Sequence, residues 1–407
     1  MTNSHPDSVL RHRAFVLFWF ARVCATAGYQ MLVVAVGWQL YELTGNPFDL
    51  GLIGLIQFIP AILLVLVVGQ VTDRYDRRMV LAACQVIETV AAGTLLTGVL
   101  LGAVSRDLIL GVALIMGIAR AFEVTVMQVL VPGLVPLPLV PRAVAGSATA
   151  NQTATIAGPA LGGFLYAAGP SIVYGTCLAM FVLAALLVAA IRIERAAPAR
   201  EPFTLDVFFA GFRYIRHQPV ILGVISLDLF AVLLGGVTAL LPVFARDIFA
   251  AGPWALGLLR AAPAVGALGM ALALTRWSFE RHTGKIVFAA VAAYGLAAIV
   301  LALSGSFVVA LMSLVVLGAS DMISVVVRMT LVQLGTPDAM RGRVTSVNGL
   351  FIGASNQLGE FRAGTMASWF GAVPAVVIGG VGTVLIVLLW TRLFPDLARA
   401  DRLEDKP

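Results

Sequence analysis

Five acidic residues, Glu88, Glu123, Asp228, Asp321 and Glu360, fall inside stretches of sequence apolar enough to lie in a bilayer, and five arginines, Arg22, Arg120, Arg260, Arg328 and Arg362, share those stretches. An ionised group in hydrocarbon costs roughly 2.5–3.5 kcal/mol on insertion scales, so each needs a counter-ion, a wet cavity or, for a carboxyl, a proton. The chemistry open to them is ion pairing and reversible proton binding. Arg120 and Glu123 are three residues apart, on one helical face and near mid-depth, which fits either a proton-sensitive pair or a permanent salt bridge. Asp321 has Ser324 and Arg328 three and seven residues on, and a neutralised pair is predicted there. Glu360 is assigned to a helix interface. Asp228 fits a water-facing proton carrier or a buried helix-to-helix hydrogen bond, and the partner of Glu88 is not fixed by sequence.

A second constellation reads Gly69-Gln70-Val71-Thr72-Asp73-Arg74-Tyr75-Asp76-Arg77-Arg78, where a helix leaves hydrocarbon. It is either ordinary loop charge or a breakable latch, in which Gly69 permits close approach and Asp73 accepts hydrogen bonds from a neighbouring helix start while pairing with Arg74, Arg77 or Arg78. In Gly158-Pro159-Ala160-Leu161-Gly162-Gly163 the glycines allow tight packing and Pro159 frees a backbone carbonyl, which predicts a bend. The amides Gln30, Gln39, Asn151, Gln152, Asn356 and Gln357, with Trp38, Phe58, Arg22 and Arg260, are read as lining for a cavity that takes an amphipathic solute. Taken singly, each amide serves equally as glue between helices.

No catalytic set is legible. The sequence holds no phosphate-binding loop, Ser-His-Asp set or HExxH, and His5, His12, His217 and His282 all fall in polar segments. Cys24, Cys84 and Cys177 lie in separate apolar stretches and read as small core residues, so neither a disulfide nor a metal site is expected. No cofactor is expected, and the driving force would be a proton gradient.

Positioning these groups requires membrane helices. The 407 residues are 60% hydrophobic and 12% charged, with mean hydropathy +0.97, far outside the usage of soluble domains. At about 20 residues per span, the chain is filled by twelve helices with short loops. They are predicted at about 15–41, 48–72, 79–103, 107–131, 144–168 and 170–192, then at about 219–248, 254–276, 285–304, 307–332, 343–369 and 371–393. This is an all-α membrane fold with an N-terminal half (1–192), a linker (193–218), a C-terminal half (219–393) and a tail (394–407). The basic residues explain orientation better than nucleic-acid binding: with the N-terminus inside, about 20 of the 27 Lys and Arg fall on the cytoplasmic side and only Arg106 and Arg246 outside. Both termini are then cytoplasmic. The start of the chain lacks a cleavage pattern and is expected to insert uncleaved, as a monomer in a cell inner membrane. In the linker, which contributes Arg192, Arg195, Arg200, Arg213 and Arg216, residues Gly211 to Arg216 form either a short amphipathic helix at the inner surface or a solvated strand of polar chain.

The halves echo each other. Gly54-Leu55-Ile56-Gln57-Phe58-Ile59-Pro60-Ala61 resembles Gly257-Leu258-Leu259-Arg260-Ala261-Ala262-Pro263-Ala264, and Ala160-Leu161-Gly162-Gly163 resembles Gln357-Leu358-Gly359-Glu360 more weakly. With the loop motif, these features make the chain resemble the major facilitator superfamily, whose signature Gly-x-x-x-Asp-Arg-x-Gly-Arg-Arg/Lys departs here only at Asp76. Gly37 to Gly45, Gly257 to Pro263 and Thr336 to Val344 resemble its transmembrane secretion effector branch, which includes the enterobactin and related drug exporters. The resemblance implies twelve helices in two pseudo-symmetric halves, alternating access and proton-driven export of small molecules. It implies that Gly158 to Gly163 match the core of the antiporter motif, with Ala145 and Ala154 replacing earlier glycines. It also implies that Arg120 is the fourth helix's characteristic arginine, with Glu123 where Gln and Val124 where Gly are usual. Because the first, fourth, seventh and tenth helices line the cavity in that superfamily, Asp228 is preferred for proton coupling, with Glu123, Arg120, Glu88, Asp321 and Glu360 as further candidates. A proton-coupled importer, a lysophospholipid flippase and a non-transporting receptor remain as alternatives on the same scaffold.

Overall fold

Apolar runs that would leave their backbone amides unsatisfied in lipid resolve that problem locally by forming helices. The computed structural model describes residues 8–192, 205–276 and 283–399, and among these it contains helices and no strand. Arg195, Arg200, His5, His282 and the tail beyond 399 lie outside them.

The helices run α1 (Arg13–Thr44), α2 (Pro47–Leu63), α3 (Val65–Arg74), α4 (Arg77–Leu100), α5 (Arg106–Leu130), α6 (Val140–Ala168) and α7 (Pro170–Ala189). After α8 (Leu205–Arg216) and α9 (Pro219–Gly235) come the short α10 (Leu241–Val243), α11 (Pro253–Leu274), α12 (Thr283–Leu303), α13 (Phe307–Gly335), α14 (Asp338–Phe370), α15 (Ala372–Leu393) and α16 (Pro395–Arg399). Helix occupies each of the twelve predicted places, but nine stretches among the described residues are long and apolar enough to cross a membrane by composition. The exceptions have physical causes. The helix predicted at 48–72 is divided at Leu64 into pieces of 17 and 10 residues, each short of a full span. α6 is rich in Ala, Gly, Thr, Asn and Gln, and α14 carries Arg341, Arg343, Glu360 and Arg362, so both are more polar than those nine stretches.

Contacts divide the chain into two units, 1–39 with 59–203 and 40–58 with 204–407. The end of α1 and the start of α2 therefore belong with the second unit, not with the sequence half that contains them. In the first unit α4 packs against α5 and α7 over a core that includes Phe15, Phe18, Leu81, Val126, Leu130 and Ile191. In the second, α13 packs against α11 and α12, and α9 against α14 and α15, around Val224, Leu227, Phe288, Val327 and Trp390. The α6–α7 and α14–α15 corners each turn on one glycine with positive φ, Gly169 at 149° and Gly371 at 90°, so the sequence echo has a structural counterpart.

The linker reading resolves in favour of a helix. α8 packs on α14, where Ile215 is buried and a Cβ at Gly211 would lie 2.8 Å from the Arg343 carbonyl oxygen.

Candidate functional site

In the first unit the charged groups of α1, α4 and α5 converge. Arg120 donates to Glu123 Oε2 at 2.5 Å, and Gln85 of α4 donates to Glu123 Oε1 at 2.9 Å, so both oxygens of this fully enclosed carboxylate are occupied. The guanidinium of Arg120 stacks over the Tyr29 ring at 4.5 Å, which ties α1 to α5. Glu88 lies one turn along α4 from Gln85 and is also fully buried, facing Glu123 and Arg120. Arg22 of α1 donates to Ser147 of α6 at 2.8 Å. The Arg120 and Glu123 spacing was legible in sequence. Gln85, Tyr29 and Ser147 were not singled out, because an amide, a phenol or a hydroxyl in a long apolar helix carries no periodic signal.

In the second unit Arg328 of α13 pairs with Asp228 of α9, and Ser324 donates to the same carboxylate at 3.1 Å. The predicted neutralised pair at Asp321 is thereby corrected. Residues seven apart share a face but stand about 10 Å apart along the axis, and α9 presents the nearer carboxylate to Arg328. Asp321 instead lines a small cleft with Asp228, Tyr294, Ser320 and Ser324.

Glu360 of α14 accepts from Thr238 at 3.3 Å and lies within electrostatic reach of Arg260. The start of α2 rests on this stretch. A Cβ at Gly54 would lie 2.8 Å from the Gln357 carbonyl oxygen and 3.1 Å from Glu360 Oε2. Arg362, another of the arginines at membrane depth, donates to the carbonyls of Leu233 and Leu234. α9 ends there at Gly235, leaving carbonyls that no helical amide can satisfy.

The α6 motif packs on α1. A Cβ at Gly158 would lie 2.7 Å from Gln30 Cβ, and one at Gly162 would lie 2.7 Å from the Met31 Cα, while Pro159 and Gly163 are buried in the same helix. At the loop motif, Gly69 sits inside α3 and Arg74 is exposed at its end; the Asp73 side chain lies outside the described part. Asp76, the residue that departs from the superfamily signature, caps α4 by accepting from the Arg78 amide at 2.9 Å. The Arg78 side chain pairs with Asp76 at 2.7 Å and donates to the Ile191 carbonyl at 2.6 Å, and Arg77 opens α4 beside it.

The predicted cavity amides differ in exposure. Gln39 is buried and accepts from Tyr174 at 2.5 Å, next to buried Trp38. Asn356 is exposed and donates to its own helix at Ile352. Gln30, Asn151, Gln152, Phe58 and Gln357 are half-buried. Cys24, Cys84 and Cys177 are buried apart, and among the described residues no group of three or more His, Cys, Asp or Glu converges as a metal site.

Residues 4–405 match the profile of a family described as transmembrane secretion effectors. The chain is 26% identical over 393 residues to the enterobactin exporter EntS of Citrobacter koseri, covering 95% of this chain and 93% of that one. It is 27% identical over 395 residues to EntS of Salmonella typhi, covering 95% and 94%. Among solved structures it resembles a bacterial homologue of the human lysosomal transporter Spinster, with a TM-score of 0.72 at 15% identity over 95% of this chain and 97% of that one. It also resembles a bacterial homologue of the iron transporter ferroportin, with a TM-score of 0.71 at 17% identity over 96% and 100%. At those identities the structural likeness speaks for the fold alone.

Proposed function

The chain belongs to the transmembrane secretion effector family of the major facilitator superfamily, and from that premise we propose that it exports a small amphipathic molecule, such as a drug or siderophore, in exchange for protons. It is a multi-pass membrane transporter and not an enzyme. The export direction draws support from relatives named as exporters.

The single observation that carries proton coupling is Glu123, a wholly enclosed carboxylate in a membrane helix that takes a hydrogen bond from the Arg120 guanidinium. Adding a proton to such a group weakens its ion pair, and a helix bundle with two arrangements then favours the other one. Asp228 would act in the same way on Arg328. Each charge carried through 100 mV of membrane potential contributes about 2.3 kcal/mol to the cycle. Gly69, Asp73, Arg74 and Arg77 would latch one of the two arrangements, and the Gly158 to Gly163 stretch would let α1 and α6 move while remaining in contact. The transporter would act as a monomer in a cell inner membrane with both termini cytoplasmic, as the distribution of Lys and Arg favours.

The test is proton flux in proteoliposomes under an imposed pH gradient, screened against siderophores, lipophilic cations and common antibiotics. Substrate-triggered proton efflux from the lumen opposite to solute movement is expected, and it should be lost in Asp228→Asn. Solute moving together with protons would make the chain an importer, and movement of labelled lipid alone would make it a flippase.

A further inference from the structure

The carboxyls of Glu88 and Glu123 meet in the interior of the first unit with their donors divided unequally. Glu123 takes the hydrogen bonds of Gln85 and Arg120, one on each oxygen. Glu88 is equally enclosed, yet among the described residues no N–H or O–H group is directed at either of its oxygens. The polar group it meets is the Glu123 carboxyl, and contact between two carboxyls is a hydrogen bond only when it contains a proton. An enclosed carboxylate with neither donor nor counter-ion of its own is the least favourable state a carboxyl can adopt, and one proton removes both deficits.

We infer that Glu88 is the protonated member of a Glu88–Glu123 acid pair, donating to Glu123, and that this proton is released in the transport cycle. The inference rests on the proton-coupled reading and narrows it to a residue on α4. When Glu88 loses the proton, a second negative charge appears beside Arg120, which must then divide between two carboxylates and loosen from the Tyr29 ring on α1. Proton release on α4 is thus felt on α1 and α5.

The surroundings leave this assignment intact. Cys84, one turn back on α4, is a buried thiol beside both carboxyls. Arg22 of α1 bears on Glu123 and Arg120, but its guanidinium is held by Ser147. α7, which packs along α4, carries no charged residue; its titratable groups are Cys177 and Tyr174, the latter bonded to Gln39. α3 carries its charges, Asp73 and Arg74, at its last two positions, beside the start of α4 and about three turns from Glu88.

The test is infrared spectroscopy of the purified full chain at neutral pH, reading the protonated-carboxyl C=O absorption in the wild type, Glu88→Gln, Glu123→Gln and Asp321→Asn. The absorption assigned to the pair should vanish in Glu88→Gln. It should also vanish in Glu123→Gln, where Arg120 is free to pair with an ionised Glu88, and it should persist in Asp321→Asn. Persistence in Glu88→Gln overturns the inference even if that variant is less stable, because Glu123→Gln with the absorption unchanged overturns it independently. In proteoliposomes, Glu88→Gln should lose substrate-triggered proton movement. Protons moved by the wild type and equally by Glu88→Gln would sink the coupling role and leave the exporter standing. No proton movement by the wild type, with the absorption still lost in Glu88→Gln, would sink the exporter reading and the release step while leaving the proton on Glu88.

Discussion

Arg328 on α13 is committed to Asp228 on α9, although Asp321 lies on its own helical face. Both partners are almost completely enclosed, with side-chain exposures of 3% and 6%. Removing one charge from such a pair strands the other, at a cost of roughly 3–5 kcal/mol. Asp228→Asn should therefore lower the thermal unfolding temperature in detergent, and Asp228→Asn with Arg328→Gln should restore most of it. Gradient-driven flux should stay lost in the double variant if Asp228 also carries a proton. A double variant that recovers stability and flux together would show the pair to be structural only.

The α1–α6 contact makes a second prediction. Ala in place of Gly162 would place a methyl 2.7 Å from the Met31 Cα, and Ala in place of Gly158 would meet Gln30 Cβ at 2.7 Å. Backbone has to move to accommodate either, at a cost of about 1–3 kcal/mol. Both variants should unfold at lower temperature and exchange solute more slowly. Gly175→Ala, in open surroundings on α7, is the control and should match the wild type. Unchanged unfolding in Gly162→Ala would remove the close-packing account of this motif.

The helices were legible because apolar length dominates everything else in such a chain, and even the two too polar to qualify on hydropathy, α6 and α14, were recovered from their position between short polar breaks. Contacts within one turn of one helix were also legible, as the Arg120 and Glu123 spacing shows. What sequence could not supply was cross-helix choice. Arg328 turned to α9, Arg362 to the carbonyls ending α9, and Arg22 to a hydroxyl on α6. Each outcome depends on which neighbour presents an unsatisfied acceptor at the right depth, and that depends on packing rather than on spacing along one helix.

Asp76, where the superfamily signature has glycine, caps α4 and holds the Arg78 side chain. Loss of an N-cap costs about 1 kcal/mol. Asp76→Gly would restore the family residue at the expense of both contacts, and a small fall in unfolding temperature is expected, whereas Asp76→Asn should retain the cap and lose only the ion pair. Arg74, exposed at the end of α3, makes a contrasting case. Arg74→Ala should leave stability unchanged and slow solute exchange without abolishing binding. If exchange were unaffected, the latch reading of this loop would fail.

Tyr174 and Gln39 offer the cleanest measure of a buried polar contact in the first unit. The phenol is fully enclosed and donates to Gln39 Oε1 at 2.5 Å. Phe at position 174 keeps the ring and its packing but leaves the amide oxygen without that donor. An enclosed acceptor deprived of its partner costs about 1–3 kcal/mol. Tyr174→Phe should therefore destabilise the protein, and Tyr174→Phe with Gln39→Leu, which removes the stranded acceptor too, should recover part of the loss. Equal unfolding temperatures for the wild type and Tyr174→Phe would mean that water replaces the phenol, and that the space around Gln39 is wet enough to serve as cavity lining.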